Sequence, residues 1–228
     1  YLSRPDVLSD NVTISQRGRM TQRQTHEWNY TAASAFSGTY QACYTVIYRA
    51  NQVLQFIDGF EGPSKANITG EALALRAMAH FDLVRFFGKL PTQSGDANGS
   101  LGIVYRTAPD PTAQDPRGTV SAAYAAIVDD LTTARDLINT SNPDGRMNRN
   151  AVNLLLSRAY LYMGQWQNAA DAAAAVTTSV APRSSVVGVW EDSNQDGLVF
   201  YIPNNNTELN NNIGVQWSQG SPSALIPE

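Results

Sequence analysis

Cysteine, lysine and histidine are almost missing from this sequence: one Cys, two Lys (Lys65 and Lys89) and two His (His26 and His80) in 228 residues. A single thiol, Cys43, excludes an internal disulfide and the four-thiolate metal sites. Two histidines, with no Ser, Cys or metal-ligand partner tied to either, leave little for nucleophilic or metal chemistry. Runs of Lys and Arg are missing too, and the net charge is −4, so a nucleic-acid footprint is excluded as a partner surface. No apolar run reaches the length that spans a bilayer. The start at Tyr1 shows no leader pattern, so any targeting peptide is expected to lie outside this sequence.

What is present is an uncharged polar and apolar mixture. Hydrophobic residues make up 43% and charged residues only 16%, with Asn, Thr, Ser, Gln and Asp plentiful. Such a chain can bury a sizeable core and show a surface suited to neutral polar ligands. Residues 1–30 have no sustained period and read as an extended polar loop. Phe36, Tyr40, Cys43, Ile47, Ala50, Leu54 and Ile57 then recur at spacings of four and three, which predicts a first helix ended by Gly59. Cys43 falls in that stripe and is expected to be a buried, inert thiol.

The stretch "GEALALRAMAHFDLVRFFGKLP" at 70–91 predicts a helix apolar on two adjoining faces. Glu71, Asp82, Arg85 and Lys89 leave only a narrow polar strip, so other helices are expected to pack around it. Arg76 and His80 lie one turn apart on it and are expected to be held by packing and hydrogen bonds. Residues 92–118 read as an irregular connection of 27 residues, long enough to be functional or to wrap the surface. "SAAYAAIVDDLTTARDLI" predicts a third helix capped by Thr119 or Ser121. Its Asp129–Asp130 pair is expected to be solvated or paired with Arg135.

Residues 150–176 predict a helical hairpin that resembles a tetratricopeptide unit, with Leu156, Tyr160, Gly164, Trp166 and Ala169 near its register. After residue 181 the sequence becomes Asn-, Gly- and Pro-rich, with a β-prone run, "LVFYI", at 198–202. "DSNQDG" at 192–197 begins like a calcium loop, but the twelfth position is Pro203 where a bidentate Glu is needed, so a turn is the expected reading.

The loop aromatics are the strongest candidates for function. Trp28 and Tyr30 close the N-terminal loop, and Trp190 and Trp217 lie in the tail. An aromatic ring can stack on the apolar C–H face of a sugar, whose hydroxyls then need amide and guanidinium partners. Asn, Gln and Arg are close by, Arg17 and Arg19 among them, so the ligand-binding candidates are Trp28, Tyr30, Arg17, Arg19, Trp190 and Trp217. No catalytic, metal or cofactor residue is assigned.

"DNVTIS" at 10–15, "YRANQVLQFID" at 48–58, the 70–91 block, "AAYAAIVDDLTTARDLI" and "RMNRNAVNLLLSRAYLYMGQWQNAADAA" together cover most of residues 10–178. In content, order and spacing they resemble the SusD/RagB family of outer-membrane nutrient-binding lipoproteins. The resemblance implies a mainly α fold, an α–α superhelix of tetratricopeptide-like helix pairs with loop-rich, slightly β extensions. One SusD-like domain over 1–228 is expected, with a helical scaffold over about 33–179, a polar loop over 1–30 and an irregular tail over 181–228. It implies a cell-surface, outer-membrane protein that binds oligosaccharide without catalysis or cofactor and delivers it to a SusC-like TonB-dependent transporter. Its membrane attachment would be an N-terminal lipid anchor absent from this sequence. The chain is shorter than half the usual family length, and ligand loops are poorly shared, so no site motif carries over. Two other classes stay open: a tetratricopeptide adaptor binding peptide in a groove, and a helical glycoside hydrolase using two of Glu27, Glu191, Asp192 and Asp196.

Overall fold

In the computed structural model, residues 7–9, 12–14, 23–29, 31, 36–203 and 225–227 are described. The chain divides into two compact units, residues 1–41 with 204–228 and residues 42–203. In the first unit, strand β1 (Val12–Ile14) pairs antiparallel with β2 (Leu225–Pro227), and a four-residue helix α1 spans Arg23–His26. The polar loop expected over residues 1–30 is therefore broken by a strand and a helical turn. Helix α2 (Ser37–Phe56) starts in this unit and runs on into the second.

The second unit is the helical scaffold. Its helices after α2 are α3 (Lys65–Phe87), α4 (Val120–Leu137), α5 (Arg149–Tyr162), α6 (Trp166–Ala174) and the short α7 (Val186–Trp190). The mainly α class and the tetratricopeptide-like pairs follow the expectation: α3 packs on α4, α4 on α5 and α5 on α6. Local chemistry sets the boundaries. The Thr119 hydroxyl accepts the Ala122 N–H to start α4, and the Asn148 side chain does the same for Ala151 in α5. Gly164, at φ 71°, turns α5 into α6. At Gly70 a Cβ would meet the Ile138 nitrogen at 2.8 Å and the Ala134 carbonyl oxygen at 3.0 Å, so α3 and α4 touch through hydrogen there.

Phe81 anchors the core, edge-on to Tyr124 (5.9 Å) and Tyr162 (5.6 Å), among Leu83, Ile127, Leu131 and Leu156. Cys43 is buried in the same cluster, and burial, with the Asp82 charge adding, pushes its thiol up to about 11. It stays protonated and inert.

The long connection does not simply wrap the surface. Ile103 is buried and the chain through Tyr105 is part-buried beside α2 and α3, where the helices meet its backbone groups one by one. Tyr44 Oη–H donates to Val104 O (2.8 Å), and Asn51 Nδ2–H donates to Arg106 O (3.1 Å). The Arg106 N–H donates to His80 Nε2 (3.0 Å) while His80 Nδ1–H donates to Arg76 O (3.0 Å). Burial holds the His80 imidazole down at about 3, against the raising effect of that carbonyl bond. Tyr105 stacks on the His80 ring at 3.8 Å.

Asp130 corrects the reading of its pair. Asp129 is exposed, but Asp130 is buried and takes both oxygens to Arg76, at 2.7 and 2.6 Å, and a third bond from Tyr105 Oη at 2.6 Å. Arg135 pairs with Asp136 instead. The "LVFYI" run is also not a strand. The Leu198 N–H closes a turn on Gln195 O (3.1 Å), Val199 O accepts from Asn148 Nδ2 (3.0 Å), and Val199 and Phe200 pack on the core, with no neighbouring strand paired to the segment among the described residues.

Candidate functional site

Trp28 stands at the end of α1, and the backbone explains how. The Trp28 N–H donates to Thr25 O (3.2 Å) and the Asn29 N–H to Gln24 O (2.8 Å), which is the double closure of a Schellman motif. That motif puts the residue after the helix in the left-handed region, here Trp28 at φ 55°. Glycine is the usual occupant, and a bulky side chain there costs about 1–2 kcal/mol. The residue gains little burial in return: Trp28 is 65% exposed. A large aromatic held in a costly conformation and left in solvent is the pattern of a functional position.

Its neighbours supply polar groups. Gln24, Glu27 and Asn29 are exposed around it, and Arg23 Nε–H donates to Glu27 Oε1 at 2.6 Å across one helical turn. The ring offers a flat apolar face, while amides, guanidinium and carboxylate offer donors and acceptors for hydroxyl groups. Glu27, one of the four hydrolase candidates, forms a solvent-exposed ion pair with Arg23.

Trp190, at the end of α7 in the second unit, is 86% exposed. It borders a groove of about 580 Å³ whose lining includes Leu154, Val176, Val189, Thr178 and Asp196. The Thr178 hydroxyl already accepts from Asn150 Nδ2 (2.9 Å). An aliphatic wall with so few polar groups leaves sugar hydroxyls unmatched, so Trp28 has the better surroundings for such a ligand. "DSNQDG" forms a turn: Asn194 Oδ1 accepts the Asp196 N–H (3.1 Å), and Asp192 takes φ 57°. Among the described residues, no group of three or more His, Cys, Asp and Glu could hold a metal ion.

Of the sequence candidates, Trp28 and Trp190 are therefore exposed aromatics, in different units, and each is described by itself. Tyr30, Arg17, Arg19 and Trp217 lie outside the described residues. Gln24, Glu27 and Asn29 were missed as companions of Trp28. The i,i+4 spacing of Arg23 and Glu27 could have revealed the helical turn, but Trp in place of the usual glycine hid its end. The core groups with shifted acidities, His80, Tyr105, Tyr124 and Cys43, hold scaffold bonds or core positions, with burial pushing the Tyr105 phenol up and the Asp130 charge adding.

The sequence model of a SusD-like family, described as starch-binding associating with outer membrane, matches residues 3–161. No curated protein matches the chain. Among solved structures, a SusD superfamily protein from Bacteroides thetaiotaomicron is 27% identical at a TM-score of 0.79, covering 90% of this chain and 48% of that one. A SusD-like carbohydrate binding protein from Bacteroides vulgatus is 25% identical at 0.69, covering 81% and 40%. A laminarin binding SusD-like protein shares the fold, at 21% identity and a TM-score of 0.63 over 78% and 39%. The chain spans about half the length of the structures it matches, or less.

Proposed function

We propose, because the chain belongs to the SusD-like family, that it is an oligosaccharide-binding protein without catalysis, lipid-anchored at the outer-membrane surface, that hands its ligand to a TonB-dependent transporter. The observation that carries this reading is Trp28, a solvent-exposed ring in a strained backbone conformation among exposed amide and charged groups. The family description as starch-binding, and relatives named for carbohydrate and laminarin binding, support a neutral glycan as the ligand class. The family's description as starch-binding, rather than as an enzyme, supports the reading without catalysis.

Incubation with fluorescently labelled maltooligosaccharides and laminarin oligosaccharides tests the reading. Retention of intact sugar, weakened about tenfold by Trp28→Ala, is the expected result. Shortened products would make the protein a hydrolase. Neither retention nor cleavage would leave the peptide-binding adaptor.

A further inference from the structure

On the reading that Trp28 is a glycan platform, we infer that His26 is the positioning residue that fixes it. Helix α1 fully buries none of its residues: Thr25 and His26 are half-buried and the turn touches β1, so little packing holds the pedestal beneath Trp28. A four-residue helix is also far below the length that is stable by itself. A long-range side-chain bond runs from His26, two residues before Trp28, to the carbonyl of Val7, 19 positions away, at 3.3 Å. A carbonyl oxygen only accepts, so Nδ1 carries the proton and donates. Val7 is fully buried, at 0% exposure, and the strand that follows it, β1, is tied by pairing to β2. The bond thus fastens an exposed helical turn to a buried point of the backbone.

The Schellman closure then passes that constraint to the ring. Thr25 and Gln24 carbonyls receive the N–H groups of Trp28 and Asn29, so the Trp28 backbone is referenced to the same turn that His26 holds. The Arg23–Glu27 pair spans that turn as well. A ligand ring stacks productively only on a platform already in place, so losing the tether costs ordering of the turn on binding. The His26 ring touches no ligand in this account; it acts through Trp28.

A double-mutant cycle tests this, read by titration calorimetry with maltoheptaose and laminariheptaose and by thermal melting. His26→Ala is expected to weaken binding by about two- to twelve-fold, the range of one net hydrogen bond, with the melting temperature within about two degrees of wild type. His26→Asn, whose amide N–H can replace Nδ1–H, should recover most of the loss. In a Trp28→Ala background, His26→Ala should add nothing further. Full affinity in His26→Ala, an undiminished loss in the Trp28→Ala background, or a fall in affinity matched by a fall in melting temperature each overturns the positioning role. If wild type binds neither sugar, or Trp28→Ala binds as wild type, the glycan-platform reading itself fails, and the inference with it.

Discussion

Helices α3 and α1 handle polar and aromatic residues in opposite ways. Helix α3 buries thirteen of its 23 residues, among them the charged Glu71 and Arg76 and the imidazole of His80. Each has partners: Glu71 takes Arg146 at 2.9 and 2.7 Å, Arg76 takes Asp130, and His80 bonds on both ring nitrogens. Helix α1 fully buries none of its residues and ends in an exposed tryptophan on a left-handed backbone. Polar groups of α3 hold the scaffold, whereas Arg23, Gln24, Glu27 and Asn29 around α1 are exposed to solvent, with His26 half-buried against Val7. The difference teaches that basic residues among apolar ones mark packing here, and it is the exposed, left-handed Trp28 that the proposed binding role rests on.

The comparison breaks most severely if α3 tolerates a new charge. Leu83 is fully buried, so Leu83→Asp should cost about 5 kcal/mol or more and leave no cooperative melt by circular dichroism. A melt within a couple of degrees of wild type would contradict the packing described for α3. Next in size is Asp130→Ala. It strands the Arg76 guanidinium, 8% exposed, and should cost about 3–5 kcal/mol in denaturant unfolding. The double variant Arg76→Met with Asp130→Leu should cost less than the single change, because it removes both charges.

Acid should act on α3 as well. His80 has its folded value near 3, below the ordinary value of 6.5, so between the two the unfolded chain binds a proton that the folded chain refuses. Its share of stability is intact above pH 6.5 and is lost as pH falls towards 3. By pH 5 the loss from this group is about 2 kcal/mol, before most carboxylates titrate. Unfolding curves at pH 7 and pH 5 measure it, and His80→Asn should flatten the difference.

Much of the scaffold was legible in the sequence because its signals are local. The spacing of Cys43, Ile47, Ala50 and Leu54 marked the inward face of α2, although Tyr40 of the same stripe is exposed; Thr119 marked the cap of α4, and Gly164 the hairpin turn. The pairing of Arg76 with Asp130 was not legible, since the two lie 54 residues apart and neither type announces its partner. The 92–118 connection looked like surface loop because its composition is Pro- and Gly-rich. The part-buried stretch 102–106 depends on α2 side chains that meet its carbonyls and on His80 of α3, which accepts the Arg106 N–H. "LVFYI" had strand composition without a partner strand, and composition cannot supply one. At the candidate site, Trp28 was legible as an aromatic in a polar stretch. Its left-handed backbone and its tie through His26 were not, because they depend on a helix too short to leave a period.

The separation of scaffold from platform rests most directly on Trp28→Gly, read in one sample series by thermal melting and by oligosaccharide titration. Glycine suits φ 55° better than tryptophan, so the melting temperature should hold or rise, by no more than about 1 kcal/mol of stability. Binding of maltooligosaccharide or laminarin oligosaccharide should fall about tenfold in the same variant. Unchanged binding, or a lower melting temperature together with the lost affinity, would contradict the account and make Trp28 a packing residue.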